Sequence, residues 1–163
     1  MIREWLNCWL LRYNHDRFWK MYLSVQNKQR SGLRRTLCIC SLKRTMSNHC
    51  CDLMITRSGR EAFGAYFAGV PFLPHGLNGI VISDRAKIGK NCTILQQVTI
   101  GVRNFHGGAP TIGDNVLIGA GAKVLGEIFV GNGSKIGANA VVLEDVPEGA
   151  TVVGNPGRIV KMR

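Results

Sequence analysis

Residues 112–124 read Ile112-Gly113-Asp114-Asn115-Val116-Leu117-Ile118-Gly119-Ala120-Gly121-Ala122-Lys123-Val124. An aliphatic residue recurs every six positions. Gly follows it at 113 and 119, and a small or β-branched residue stands four places after it. The same grid runs outward in both directions through Ile82, Ile88, Ile94 and Ile100, then Val130, Ile136 and Val142, and it misses only at His106. The four-later positions include Ala86, Cys92, Val98, Val116, Ala122, Ile128, Ser134, Ala140 and Val146. A helix repeats near 3.6 residues and a strand at 2, so a sustained period of six requires another architecture. A hexapeptide repeat points to a solenoid, a parallel β-helix. Three hexapeptides make one triangular coil, which predicts Ile82 stacked over Ile100, Ile118 and Ile136.

Composition agrees with this reading. The 20 glycines suit a chain that turns sharply every few residues. Aromatics are only 7% and concentrate toward the amino-terminal end, so the predicted core is aliphatic and thinly layered. The charge is uneven. Residues 1–60 carry 12 Lys/Arg against 3 Asp/Glu, whereas residues 61–163 carry 9 against 7. No nucleic-acid reader motif accompanies the basic arm, so nucleic acid is not expected as a partner. A peripheral contact with an anionic membrane surface stays open. The six cysteines show no paired C-x2-C spacing, and no metal is expected. The segment Trp5–Val25 is interrupted by Arg12, His15, Asp16, Arg17 and Lys20, which excludes a simple apolar span or secretory core. The expectation is a cytoplasmic protein.

Two units follow: a basic helical arm over 1–60, and a hexapeptide-repeat domain with a terminal cap over 61–163. Helical spacing extends from about residue 2 to 47, with a break at Ser31-Gly32. Such an arm is marginal alone and should pack on the solenoid end or on a neighbouring subunit. Carried backward, the grid reaches Val70 and Gly76, which predicts that coiling begins near residue 70. Residues 102–111 keep the spacing but not the pattern, with Asn104, Phe105, His106, Gly107, Gly108 and Pro110. They read as a loop thrown out between regular rungs, where solenoids often carry function. From Val146 onward the chain leaves the repeat.

Several runs now have a specific likeness. They are Pro74-His75-Gly76-Leu77-Asn78-Gly79-Ile80-Val81-Ile82, Gln96-Gln97-Val98-Thr99-Ile100-Gly101, Gly119-Ala120-Gly121-Ala122-Lys123 and Val153-Gly154-Asn155-Pro156-Gly157-Arg158. Over about residues 70–163 the chain resembles the hexapeptide-repeat acyltransferases, in particular the serine acetyltransferase-like and polysaccharide O-acetyltransferase branch. The resemblance implies a left-handed parallel β-helix, which together with the N-terminal α-helical arm read from spacing makes a mainly β chain. It also implies a homotrimer with active sites in grooves between subunits, and acetyl-CoA as donor. His75 takes the place of the family's catalytic His, which stands in a D-H-A-T-G run. A neutral imidazole there removes the proton of a hydroxyl that attacks the thioester. Ala120 and Ala138 match turn positions lining the pantetheine groove, and Arg158 and Lys161 match basic residues that meet the CoA phosphates. His106 and Asn78 are candidates for the acceptor.

The chain also departs from the pattern. Pro74 replaces the acidic residue before the His, and Gly108-Ala109 replace an Arg-His pair that contacts serine in the family. These departures turn the expected acceptor toward a sugar or polysaccharide-precursor hydroxyl, with serine O-acetylation as the alternative. A non-catalytic trimeric scaffold is a third reading. A zinc site of the carbonic-anhydrase type needs three His ligands, and the repeat region has only His75 and His106. The nearest acidic partners for His75 in sequence are Glu61 and Asp84.

Overall fold

The computed structural model describes residues 15–26, 65–104 and 107–162. Among the described residues, one helix and a run of very short strands follow one another: α1 (His15–Gln26), β1 (Tyr66–Phe67), β2 (Val81–Ile82), β3 (Lys87–Ile88), β4 (Thr93–Ile94), β5 (Thr99–Gly101), β6 (Thr111–Ile112), β7 (Leu117–Ile118), β8 (Lys123–Leu125), β9 (Phe129–Val130), β10 (Lys135–Ile136), β11 (Val141–Val142), β12 (Thr151–Val153) and β13 (Arg158–Lys161). Three parallel sheets wrap one interior. The first has the order β2-β5-β8-β11, the second β1-β3-β6-β9 and the third β4-β7-β10-β12. β13 turns back and adds antiparallel to β12. Each of β2 to β12 contributes one inward aliphatic residue and β1 contributes Phe67, and these side chains stack in columns that are almost wholly buried, whereas β13 is exposed along its length. Burying one of them contributes about 1.5–3 kcal/mol. The small residues four places later sit inside the corners: Ala86, Cys92, Val98, Val116, Ala122, Ser134, Ala140 and Val146 are buried, and Ile128 is half-buried.

The stacking corrects the simple grid. Ile82 does lie beside Ile100, but Ile100 then pairs with Val124, and Val124 with Val142. Ile118 instead lies between Ile94 and Ile136 in another column. The 102–110 segment adds a further six residues to one coil while leaving its ends in register. A loop one hexapeptide long is invisible to a period of six, yet it shifts every later residue onto a different face.

The start of the coil also differs from the expectation. β1 pairs with β3 and Phe67 lies under Ile88, so coiling begins before residue 70. Phe72 bridges Thr93, which sets the buried Leu73 in the column of Ile94. Val70 is exposed and Gly76 lies in a turn with φ +65°, so neither is a core position. At the other end, Val146 bridges Val130 and β12 pairs with β10, so the coil continues two faces beyond Val142 before β13 caps it.

The helix α1 closes the amino-terminal end. Trp19 and Tyr22, three apart and on one face, pack on Phe67 with ring centroids at 4.7 and 5.5 Å. The Tyr22 hydroxyl donates to the Ala65 carbonyl at 2.8 Å. Asp16 and Lys20 face solvent. The remainder of the arm predicted over 1–60, including Ser31-Gly32, lies outside the described residues.

Candidate functional site

Among the described residues, two corners hold more chain than a regular coil needs. The first joins the third sheet to the first. From Ile94 to Ile100, Ile118 to Val124 and Ile136 to Val142 the crossing takes six residues, but from Leu73 to Ile82 it takes nine. The surplus is the turn Pro74–Gly79, and His75 stands exposed upon it. Leu77 and Ile80 are buried beneath, and the Gly76 and Ile80 amides donate to the Leu73 and Leu77 carbonyls. Gly76 and Gly79 both adopt left-handed φ, which a Cβ would penalise. The imidazole is thus carried on a short, anchored projection.

Below this turn the backbone forms a column. The Gln97 amide donates to the Asn78 carbonyl at 2.9 Å, Gly121 to Gln96 at 2.9 Å and Asn139 to Ala120 at 2.8 Å. Asn78, Gln96, Ala120 and Ala138 therefore follow one another along a single edge. With coils about 4.8 Å apart, the line extends about 14 Å. A glycine at 119 leaves room for the next coil, since a Cβ there would come within 2.6 Å of the Ala138 amide nitrogen. The Lys123 ammonium donates to the carbonyls of Gln97 and Gly121 at 3.1 and 2.8 Å, tying two turns of the edge together. The Gln96 Oε1 is buried against the same edge without a hydrogen-bond partner among the described residues. Neither Lys123 nor Gln96 stood out in the repeat pattern, because both lie off the grid positions.

The β12–β13 turn ends the column. Val141 donates to the Gly154 carbonyl and accepts from the Gly157 amide, and Asn155-Pro156 is cis. Arg158 lies opposite Val153, whose Cγ1 would touch a Cβ at Gly137, so Arg158 belongs to the Ala138 end of the edge. One of its guanidinium nitrogens donates to the Gly157 carbonyl at 3.0 Å. Lys161 is separated from it. It pairs with Thr151, beside Lys135, at the opposite end of the strand and about 10 Å away.

The second enlarged corner lies at the other side of the first sheet, where residues 102–104 and 107–110 leave the coil. Gly107 donates to the Asn104 carbonyl, and the Arg85 guanidinium donates to the Gly107 carbonyl at 3.1 Å. Between the loop and the second sheet is a cleft of about 420 Å³ whose charged lining is Arg85, Lys87, Glu127 and Asp145. His106 lies outside the described residues. Asp84 belongs to this corner, its carboxylate near the Ser83 hydroxyl, and a full face separates it from His75. It is not the partner of His75 within one chain; Glu61 lies outside the described residues. Thus His75, Asn78, Ala120, Ala138 and Arg158 share one edge, and the loop occupies another.

Residues 109–144 match the bacterial transferase hexapeptide family, a model of six repeats. Over 91 residues the chain is 55% identical to a serine acetyltransferase of Bacillus licheniformis, covering 55% of this chain and 42% of that protein. Among solved structures, the soybean serine acetyltransferase apoenzyme superposes with TM-score 0.68 at 38% identity, covering 86% of this chain and 53% of its own. A Brucella abortus serine acetyltransferase in complex with coenzyme A gives 0.67 at 32%, covering 88% and 54%. The chain resembles the hexapeptide-repeat acyltransferases, in their serine acetyltransferase-like branch. It spans about half the length of the relatives it matches. The superposition also gives the hand of this hexapeptide-repeat protein, because a coil of opposite hand could not overlay strand for strand. It is a left-handed parallel β-helix. Among the described residues no helix is long and apolar enough to cross a membrane, and no three His, Cys, Asp or Glu side chains gather as for a metal ion.

Proposed function

We propose that this protein is an acetyl-CoA-dependent O-acetyltransferase acting on serine, with His75 as general base. The observation that carries the reading is the enlarged His75 turn standing at the head of the Asn78–Gln96–Ala120–Ala138 edge. That edge gives an extended donor a line of backbone amides and carbonyls, with Arg158 at its far end for phosphate oxygens. The likeness to a coenzyme A complex supports this use of the edge. The sequence departures favoured a sugar acceptor, but the relatives favour serine, and one soybean serine acetyltransferase structure is a complex with serine. Serine therefore replaces a sugar as the leading acceptor.

In the proposed reaction the neutral imidazole of His75 takes the proton of the serine hydroxyl as its oxygen bonds to the thioester carbonyl carbon. The tetrahedral oxyanion is met by backbone N–H groups of the turn edge. Collapse breaks the carbon–sulfur bond, the imidazolium returns a proton to the departing thiolate, and O-acetylserine and CoA leave. Within one chain the 102–110 loop stands a face away from His75, so the complete site is assigned to a groove in a homotrimer. There His75 of one copy meets the loop corner of the next. The test is CoA thiol release from acetyl-CoA with serine and with a panel of sugars and nucleotide-sugars, in wild type and His75→Ala. Release with serine that is lost in the folded variant supports the reading. Release only with a sugar, or none with acetyl-CoA bound, overturns it in favour of the sugar enzyme or the scaffold.

A further inference from the structure

We infer that the cleft beside the 102–110 loop holds the acceptor as a zwitterion, with Arg85 and Lys87 taking the α-carboxylate and Glu127 the α-ammonium. The inference rests on the proposed amino-acid acceptor and names the side chains that read it. In the first coil, Arg85 reaches forward to the Gly107 carbonyl at 3.1 Å, which uses one N–H of the guanidinium and leaves the others to a ligand. From two coils further on, Glu127 folds back over Gly108. A Cβ at residue 108 would lie within 2.6 to 2.8 Å of the Glu127 Cδ, Cγ and Cβ atoms, so Gly108 is the residue that lets the carboxylate lie there. A guanidinium and a carboxylate thus converge on two adjacent residues of one loop. Among the described residues no ion pair within 4.0 Å joins them. Lys87 adds a second cation at the Arg85 end. Asp145 is already engaged by the Phe129 amide at 2.7 Å and fixes the opposite end. A cation and an anion facing one cleft without pairing match a ligand that carries both charges. A neutral sugar would have no use for the separation.

The same geometry accounts for the chain's departure at Gly108-Ala109. An arginine at 108 could not coexist with Glu127 in this position. The carboxylate-binding cation is supplied instead from Arg85, and the vacated space holds the carboxylate that meets the ammonium.

The experiment measures kcat and KM of the full chain for L-serine, serinamide and 3-hydroxypropionate, in wild type, Arg85→Gln and Glu127→Gln. All the altered side chains are exposed, so both variants should fold. Arg85→Gln should raise the serine KM about tenfold or more with little change in kcat, and should abolish the preference for serine over serinamide. Glu127→Gln should do the same to the preference for serine over 3-hydroxypropionate. Arg85→Lys should recover part of the loss. Serine turnover whose selectivity for these analogues is unmoved by either variant overturns the inference and leaves the proposed function standing. No serine turnover by the wild type, with a sugar acetylated instead, overturns both.

Discussion

His75 projects from an anchored turn into solvent, so its side chain does not hold the fold and is free to serve as the proposed base. His75→Ala should lower turnover about 10²–10⁴-fold while the thermal midpoint stays put. A folded variant of wild-type activity would remove the base assignment. Tyr22 behaves in the opposite way. Its phenol is buried on Phe67 and donates to Ala65, and burial holds its pKa far above the ordinary 10.0. Above about pH 10 the unfolded chain releases this proton and the folded chain keeps it. Stability must then fall as pH rises, by about 1.4 kcal/mol per pH unit from this group. Denaturant midpoints between pH 9 and 11 should decline more steeply for wild type than for Tyr22→Phe. The buried Cys92 thiol is likewise pushed up, first by burial, although hydrogen bonds to backbone oppose the shift. At this scale the grid marked Cys92 as an interior spacer correctly, whereas Arg85, Lys123 and Glu127 carry no periodic signal. Their roles depend on which coils meet, and spacing along the chain does not report that.

At the scale of the corner, glycine has two separate uses. Gly119 makes room: a Cβ would meet the Ala138 nitrogen at 2.6 Å and the Gly137 carbonyl carbon at 2.8 Å, both backbone of the next coil. Rotation of a side chain cannot relieve that contact, and Gly119→Ala should cost about 1–3 kcal/mol. Gly133 instead supplies a left-handed φ of +63° with nothing within 4 Å. Asn91 and Asn115 occupy the preceding positions of that corner with φ of 54° and 57°. Gly133→Asn should therefore shift stability by less than about 1 kcal/mol, since Asn tolerates this conformation. Urea melts of the two variants separate the cases. The extruded 102–110 loop was visible as a break in pattern. The three-residue surplus at the His75 turn was not, because Val70, Gly76 and Ile82 continue the spacing of six without a break.

For the whole molecule, a shared groove requires more than one copy. Sedimentation should give a species of three 17.9-kDa chains. Mixing also tests the sharing directly. Coexpressed His75→Ala and Arg85→Glu chains should regain activity at low serine, because some grooves then combine an intact His75 with an intact Arg85. Mixtures no more active than their parents would place the whole site within one chain or dissociate the two residues functionally.

The hexapeptide grid by itself determined the solenoid, its aliphatic interior and the presence of an extruded loop, because interior packing recurs with the local geometry of each corner. The His75 and Val153–Arg158 runs, which lie off that grid, indicated the family beside it. Only the tertiary structure decided which residues stack. The loop's six extra residues preserve the period while sending Ile118 to the column of Ile94 rather than of Ile82. Only there do Asn78, Ala120, Ala138 and Arg158 become one edge, Lys161 separate from it, and Arg85 and Glu127 converge on one loop from coils two turns apart. Those relations depend on how many residues each coil consumes, and that number is set by long-range strand pairing.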